Sequence, residues 1–174
     1  MPKGGALLVG ATLLAALAGC GESRDYAVPN KACGVSVDAG LLAPLLPKGD
    51  KLQVKDTDQG SESPRCRLLV DNRLAVDLRG DVVPADTDPI QANSQGLARL
   101  GNPAKADIGD DARIADRGAM SVGACTYKGV RRKLAVEVEL KGEVPDDTQE
   151  RRRMLSDFLK SYLPEALQAQ GCTE

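Results

Sequence analysis

The chain has 174 residues, with 23 Lys and Arg against 25 Asp and Glu and a formal net charge of −2, which argues against a basic nucleic-acid binder. Histidine and tryptophan are absent, and the other aromatics are one Phe and three Tyr. The commonest general base, the Ser-His-Asp and Cys-His nucleophile systems and imidazole-bound metals are therefore excluded, and a carboxylate-pair glycosidase would lack its aromatic platforms.

Lys3, an apolar stretch from Ala6 to Ala18 with no acid in it, and the small-residue close Leu17-Ala18-Gly19-Cys20 have the layout of a secretory leader. Thirteen apolar residues in a helix rise only about 20 Å, against roughly 30 Å of hydrocarbon, so the stretch is too short for a stable span. The four residues ending at Cys20 resemble a bacterial lipobox. That resemblance implies a thioether-linked diacylglycerol on Cys20, removal of residues 1–19, and a lipid-anchored N-terminus on the extracytoplasmic face of the cell membrane. Two acyl chains anchor stably where one holds only marginally.

Residues 20–31 are then the lipidated N-terminus and a polar tether, whose Gly21–Lys31 part spans at most about 35–40 Å. Residues 32–174 are read as one globular domain. With Cys20 lipidated, the other four of the five cysteines form an even set in an oxidising compartment, which points to two disulfides. Three pairings exist. Cys33 with Cys66 and Cys125 with Cys172 are favoured, because each ties a helix end to a strand within its own half. A four-cysteine zinc site fits poorly, since no two of these cysteines lie within thirty residues of each other.

Asp38 is a candidate N-cap for a short helix to Leu46, carrying Leu41, Leu42, Leu45 and Leu46 at helical spacing, with Pro44 limiting it to about two turns. Lys51–Lys55 is a short strand, and Cys66–Val70 with Leu74–Leu78 forms a hairpin turning at Asp71-Asn72-Arg73. Asp88 before Pro89, with Gln91 as capping-box partner, starts a helix that ends near Gly101. Ile108–Ile114 is broken by Gly109-Asp110-Asp111. Gly118–Tyr127 and Val130–Leu140 are strands joined at Lys128-Gly129, the second alternating Leu134, Val136, Val138 and Leu140 with Ala135, Glu137, Glu139 and Lys141. Asp147 with Glu150 opens a final helix whose stripe is Met154, Leu155, Phe158, Leu159, Tyr162 and Leu163. Pro164 is expected to kink or restart it, and Gly171 to cap it.

The run from Cys66 through Leu74-Ala75-Val76-Asp77, Gly80-Asp81-Val82 and Asp86-Thr87 matches Cys125, Leu134-Ala135-Val136-Glu137, Gly142-Glu143-Val144 and Asp147-Thr148 at an offset of about sixty residues. The expected fold is α+β: an antiparallel sheet with helices on one face, two hairpin-plus-helix repeats and two disulfides.

Asp107, Asp110, Asp111 and Asp116 around Gly109 are candidate calcium ligands, although their spacing is not that of an EF-hand. Arg131-Arg132-Lys133 and Arg151-Arg152-Arg153 are candidate contacts for anions or lipid headgroups, with acids nearby that favour local ion pairs instead. The lipobox, the short tether, Cys33-Gly34 before a Leu-rich helix, Gly109-Asp110-Asp111-Ala112 and the terminal Gly171-Cys172 together resemble the small uncharacterised lipoproteins of high-GC Gram-positive bacteria such as the streptomycetes. That resemblance carries no catalytic residues to this chain. The expected function is non-enzymatic and cofactor-free: an extracytoplasmic domain that binds an envelope protein or a small ligand. An aliphatic pocket favours the ligand, and a flat apolar patch the protein.

Overall fold

The computed structural model describes Met1, residues 24–57 and residues 59–173. The expected leader and Cys20 lie outside the described residues.

Two antiparallel hairpins dominate, and both turn where sequence chemistry allows left-handed backbone. Strands β4 (Arg65–Val70) and β5 (Arg73–Pro84) are joined by Asp71-Asn72, at φ 50° and 65°, while β8 (Gly118–Tyr127) and β9 (Val130–Leu140) are joined by Lys128-Gly129, at φ 50° and 75°. Two consecutive positive-φ residues are the mark of the type I′ turn, whose twist matches that of the flanking strands. β5 pairs with β9 at the centre, with Leu78 opposite Val138 and Gly80 opposite Val136. β3 (Leu52–Asp56) is added outside β4; β7 (Asp111–Ile114) and β6 (Ala104–Ala106) are added outside β8. The resulting order is β3-β4-β5-β9-β8-β7-β6, antiparallel throughout. A two-stranded hairpin, β1 (Lys31–Ala32) with β2 (Val35–Ser36), stands apart from it.

One sheet face carries Leu68, Val76, Leu78, Ala112, Ala119, Leu134, Val136, Val138 and Leu140, all buried. Against it packs α4 (Thr148–Gln170) through Leu155, Phe158, Leu159, Tyr162 and Leu163, each at most 6 % exposed. Asp147 caps α4 by accepting from the Glu150 N–H at 2.7 Å, and Gly171 closes it in the left-handed region at φ 75°. The helix runs on through Pro164 to Gln170 without the restart that the sequence allows. Packing of Tyr162, Leu163 and Ala166 on either side of the proline outweighs the local penalty. The expected helix from Asp38 is one α-turn, α1 (Ala39–Leu42), continued by a 3-10 turn over Ala43–Leu45, and Asp38 caps it as predicted.

The helices do not all lie on one face. The segment expected as one helix from Asp88 to Gly101 is two short ones, α2 (Pro89–Ala92) and α3 (Ser94–Arg99), broken at Asn93. Their Ile90, Leu97 and Leu100 bury Met120, Val122 and Ala135, which point away from α4. The physical reason is local: these three sheet residues make an apolar patch on an otherwise polar face, and it needs a cover. The strands agree with the expected repeat, since β4-β5 and β8-β9 occupy equivalent places about the central β5·β9 pair. The helices after them go to opposite faces and break it.

Both favoured disulfides are formed. Cys33, in the turn between β1 and β2, bonds Cys66 on β4 with a Cα separation of 5.7 Å. Cys125 on β8 bonds Cys172, just past α4, at 5.2 Å. In the chain-entropy model, loops of 33 and 47 residues contribute roughly 4 kcal/mol each.

The segment read as a free tether is fastened to the domain. Arg24 Nη2 donates to the carbonyls of Ala43 (2.6 Å) and Leu46 (2.9 Å), the Asp25 N–H donates to Gly49 O at 2.9 Å, and the Tyr26 hydroxyl donates to Pro47 O. Tyr26 and Val28 pack on the main core. Gly49 lies so close to the β4–β5 turn that a Cβ there would fall 2.4 Å from Asp71 Oδ2, and that carboxylate accepts from the N–H groups of Asp50 and Lys51.

Gly109 sits at φ 61°, and a Cβ on it would fall 2.4 Å from Val122 O and 2.6 Å from Leu163 Cδ2. Gly109→Ala is expected to cost roughly 2–4 kcal/mol, from left-handed strain plus overpacking. Urea denaturation of the oxidised protein measures it, and an unchanged midpoint would refute the close approach.

Candidate functional site

Between the β1–β2 hairpin, the sheet and the last turns of α4 lies a cleft of about 170 Å³. Its walls are the Cys33–Cys66 disulfide, Leu78, Leu134, Val136, Tyr162 and Ala166, and its mouth carries Arg65, Ala169 and Gln170. Each wall follows from the elements that frame it. The disulfide holds the β1–β2 turn against β4; the alternation of β9 turns Leu134 and Val136 inward; and α4 spaces Tyr162, Ala166 and Ala169 along one side. Burial raises the Tyr162 hydroxyl well above its ordinary pKa, so this wall stays neutral at any working pH. The volume is close to that of a dry cavity of about 150 Å³ that accepts benzene. Arg65 at the mouth donates to Gly80 O at 2.8 Å and pairs with Asp81 at 3.2 Å.

The opposite sheet face holds a charged grid. Across β4, β5 and β9 run two rows set by register: Arg67, Asp77 and Glu139, then Arg65, Arg79 and Glu137. Arg79 bridges them, donating to Asp77 Oδ2 at 3.1 and 2.9 Å and to Glu139 at 3.0 Å. Asp77 is 3 % exposed; its Oδ1 makes no hydrogen bond and faces Arg67 Nε at 3.9 Å. Burial raises the Glu137 carboxyl above the usual range, Arg79 opposes this and Glu139 reinforces it, and Asn93 donates to it at 3.2 Å. Three cations face three anions, so the grid largely neutralises itself. Its residues alternate visibly as Arg65-x-Arg67, Asp77-x-Arg79 and Glu137-x-Glu139, but only the register brings them together.

Other sequence candidates are dispersed. Asp110 accepts from the Ala124 N–H at 2.5 Å, Asp111 pairs with Arg113, Asp116 binds Asn102 and Arg152, and Asp107 is exposed. Among the described residues no three acids or cysteines come together to hold a metal ion. Arg151 is 1 % exposed, and its guanidinium donates to the carbonyls of Asp116, Pro145 and Asp146 and to Thr148 Oγ1. Arg152 donates to Asn102 O, Ile114 O and the Asp116 carboxylate. Two of the three arginines in that basic run therefore fasten α4 to the β7–β8 corner. Lys133 donates to Thr87 O, while Arg131 and Arg153 are exposed.

The fold and its sites define, among the described residues, a disulfide-braced α+β domain with a small cleft, lined mainly by aliphatic side chains, beside a bonded cystine. A scan against protein-family models and searches of curated proteins and of solved structures found no match to the chain.

Hydrogen bonds from Asn102 and Arg152 hold the Asp116 carboxyl below its ordinary pKa, with partial burial opposing them. A depressed folded pKa contributes stability above the unfolded value and loses it as pH falls through the folded one. Asp116→Asn is therefore expected to lower stability at pH 7 by about 0.5–1 kcal/mol, small because the pair is screened by solvent, and the difference is expected to shrink only as pH falls from about 4 through the depressed folded pKa. Melting curves at pH 7 and pH 3 check this. Indole, titrated into the isotope-labelled domain, is expected to shift Val136, Tyr162 and Ala166 saturably, and Ala169→Phe, which covers the mouth, to abolish the shifts. Unchanged spectra of the parent would refute a usable cleft.

Proposed function

We propose that this chain is a lipid-anchored extracytoplasmic lipoprotein whose domain is a non-enzymatic binding module for a small, mainly apolar ligand. The observation that carries the anchoring is the cysteine accounting. Setting Cys20 aside at the end of Leu17-Ala18-Gly19-Cys20 leaves four cysteines, and the fold pairs all four. Structural disulfides belong to oxidising compartments, in keeping with a leader and export. Among the described residues no helix is long and apolar enough to cross a membrane, and the reading assigns attachment to the diacylglyceryl group on Cys20.

The ligand class follows from the surface. Among the described residues the large apolar side chains left exposed are few, Met1 in the leader to be removed, Val54 at 38 % on β3 and Val130 at 51 % at the start of β9, which make no continuous patch for a protein partner. The aliphatic walls gather instead in the cleft beside Cys33–Cys66. A compact apolar group would fill it, with a polar end at Arg65 and Gln170.

The anchoring is tested in a Gram-positive host. The intact protein is expected in the membrane fraction with a mass that shows loss of residues 1–19 and gain of a diacylglyceryl group. Cys20→Ser is expected to lack that mass and to leave the membrane fraction. A membrane-bound Cys20→Ser protein would overturn the reading.

A further inference from the structure

We infer that the end of the domain formed by the Arg24–Tyr26 clamp, the Pro47–Lys51 corner, the Asp71-Asn72 turn and the Lys141–Val144 segment rests against the phospholipid bilayer. This rests on the proposed lipidation of Cys20 and adds to it an orientation. The polar segment that looks like a long tether is mostly not available as one. Arg24 is held by the carbonyls of Ala43 and Leu46, Asp25 by Gly49 and Tyr26 by Pro47, so the chain is fixed to the domain from Arg24 onward. Four peptide steps separate Cys20 from Arg24. Fully extended they reach about 14 Å, against the 35–40 Å of the whole polar segment.

The domain is long compared with that reach. β9 has 11 residues and β5 has 12, so the sheet extends on the order of 35 Å along its strands. The clamp stands at one end of that length. Gly49 abuts Asp71 in the β4–β5 turn, and β9 ends at Leu140 opposite Val76, which places Lys141 there too. The opposite end carries Lys128-Gly129 and the terminus of α4, whose Gln170 donates to Ser61 O. A lipid within about 14 Å of Arg24 cannot sit under the far end.

The charges at the near end suit a headgroup layer. Arg24, Lys48, Lys51, Arg73 and Lys141 are exposed there, facing Asp25, Asp50, Asp71 and Glu143. Asp71 is engaged by the backbone of Asp50 and Lys51, and Lys141 pairs with Glu139. The near-balance gives no large repulsion from anionic lipid, and the exposed Arg24, Lys48, Lys51 and Arg73 stand where they can meet phosphates.

The test uses the natively lipidated, isotope-labelled protein in phosphatidylcholine–phosphatidylglycerol nanodiscs doped with a gadolinium-chelating lipid. Amide relaxation enhancement is expected to be roughly ten-fold or more greater at Lys48, Gly49, Asn72 and Gly142 than at Lys128, Gly129 and Thr87, given the strand length between them. Uniform enhancement, or a gradient of the opposite sense, in a disc-bound lipidated protein overturns the orientation. Inserting ten Gly-Ser residues between Ser23 and Arg24 is expected to flatten the gradient, and a gradient that survives the insertion overturns the short link as its cause. Failure of the lipid anchor itself reads differently: the intact mass lacks the diacylglyceryl group and the protein does not co-migrate with the discs.

Discussion

The fold depends on burying one sheet face under α4. Leu134, Val136, Val138 and Leu140 of β9 meet the stripe of Leu155, Phe158, Leu159, Tyr162 and Leu163, and nearly every other feature is arranged around that contact. The core is aliphatic, with Phe158 and Tyr162 stacked at 5.3 Å as its aromatic pair. Aliphatic side chains carry less area each than aromatic ones, so such a core needs more of them in register. The type I′ turns at both central hairpins supply that register, because slipping either strand by one residue would turn its apolar set outward.

Charged groups then fix what burial leaves free. Burial alone tolerates rotation or sliding of α4 along the sheet. Arg151 and Arg152 remove that freedom at the start of α4, through carbonyls of the β7–β8 corner and the Asp116 carboxylate. The Cys125–Cys172 bond does the same at its other end. A guanidinium is suited to this role because its five donors can satisfy several carbonyls at once without losing charge. A basic run in a sequence thus says little about surface charge until its direction is known: the helix turns Arg151 and Arg152 inward and leaves Arg153 in solvent.

What was legible in the sequence is what a single element determines by itself. The alternation of Leu134–Leu140, the N-caps at Asp38, Asp88 and Asp147, the left-handed close at Gly171 and the even set of cysteines each encode a local or pairwise constraint, and the structure has each of them. What failed needed the partner. Ala135 reads as part of a wet strand face with Glu137 and Glu139, yet it is 4 % exposed because α2 and α3 cover it along with Met120 and Val122. β6 has three residues and no pattern to detect, and exists because β7 offers it an edge. The charged grid draws on β4, β5 and β9, so its alternating pairs acquire meaning only from register. Arg24 and Tyr26 look like linker because their partners, the carbonyls of Ala43, Leu46 and Pro47, belong to a corner that no side-chain pattern announces.

The two ends of the sheet differ in what they can do. The near-symmetric strand order gives each end a hairpin turn and a set of strand termini, so strands alone would make the ends alike. The connections make them unlike. One end takes the Arg24 clamp and the Pro47–Lys51 corner; the other takes the last turns of α4 and, beside Arg65 and Gly80, the mouth of the apolar cleft. Gly80 lies seven residues along β5 from Arg73, on the order of 20 Å from the Asp71-Asn72 turn. Under the proposed lipidation of Cys20, four residues before Arg24, the cleft would open toward the aqueous side, away from the acyl chains that would otherwise compete for its walls. A ligand of the proposed kind would then arrive through water, which favours a group small enough to be soluble and apolar enough to leave it. The small volume and the polar mouth at Arg65 and Gln170 set the same requirement from the protein's side.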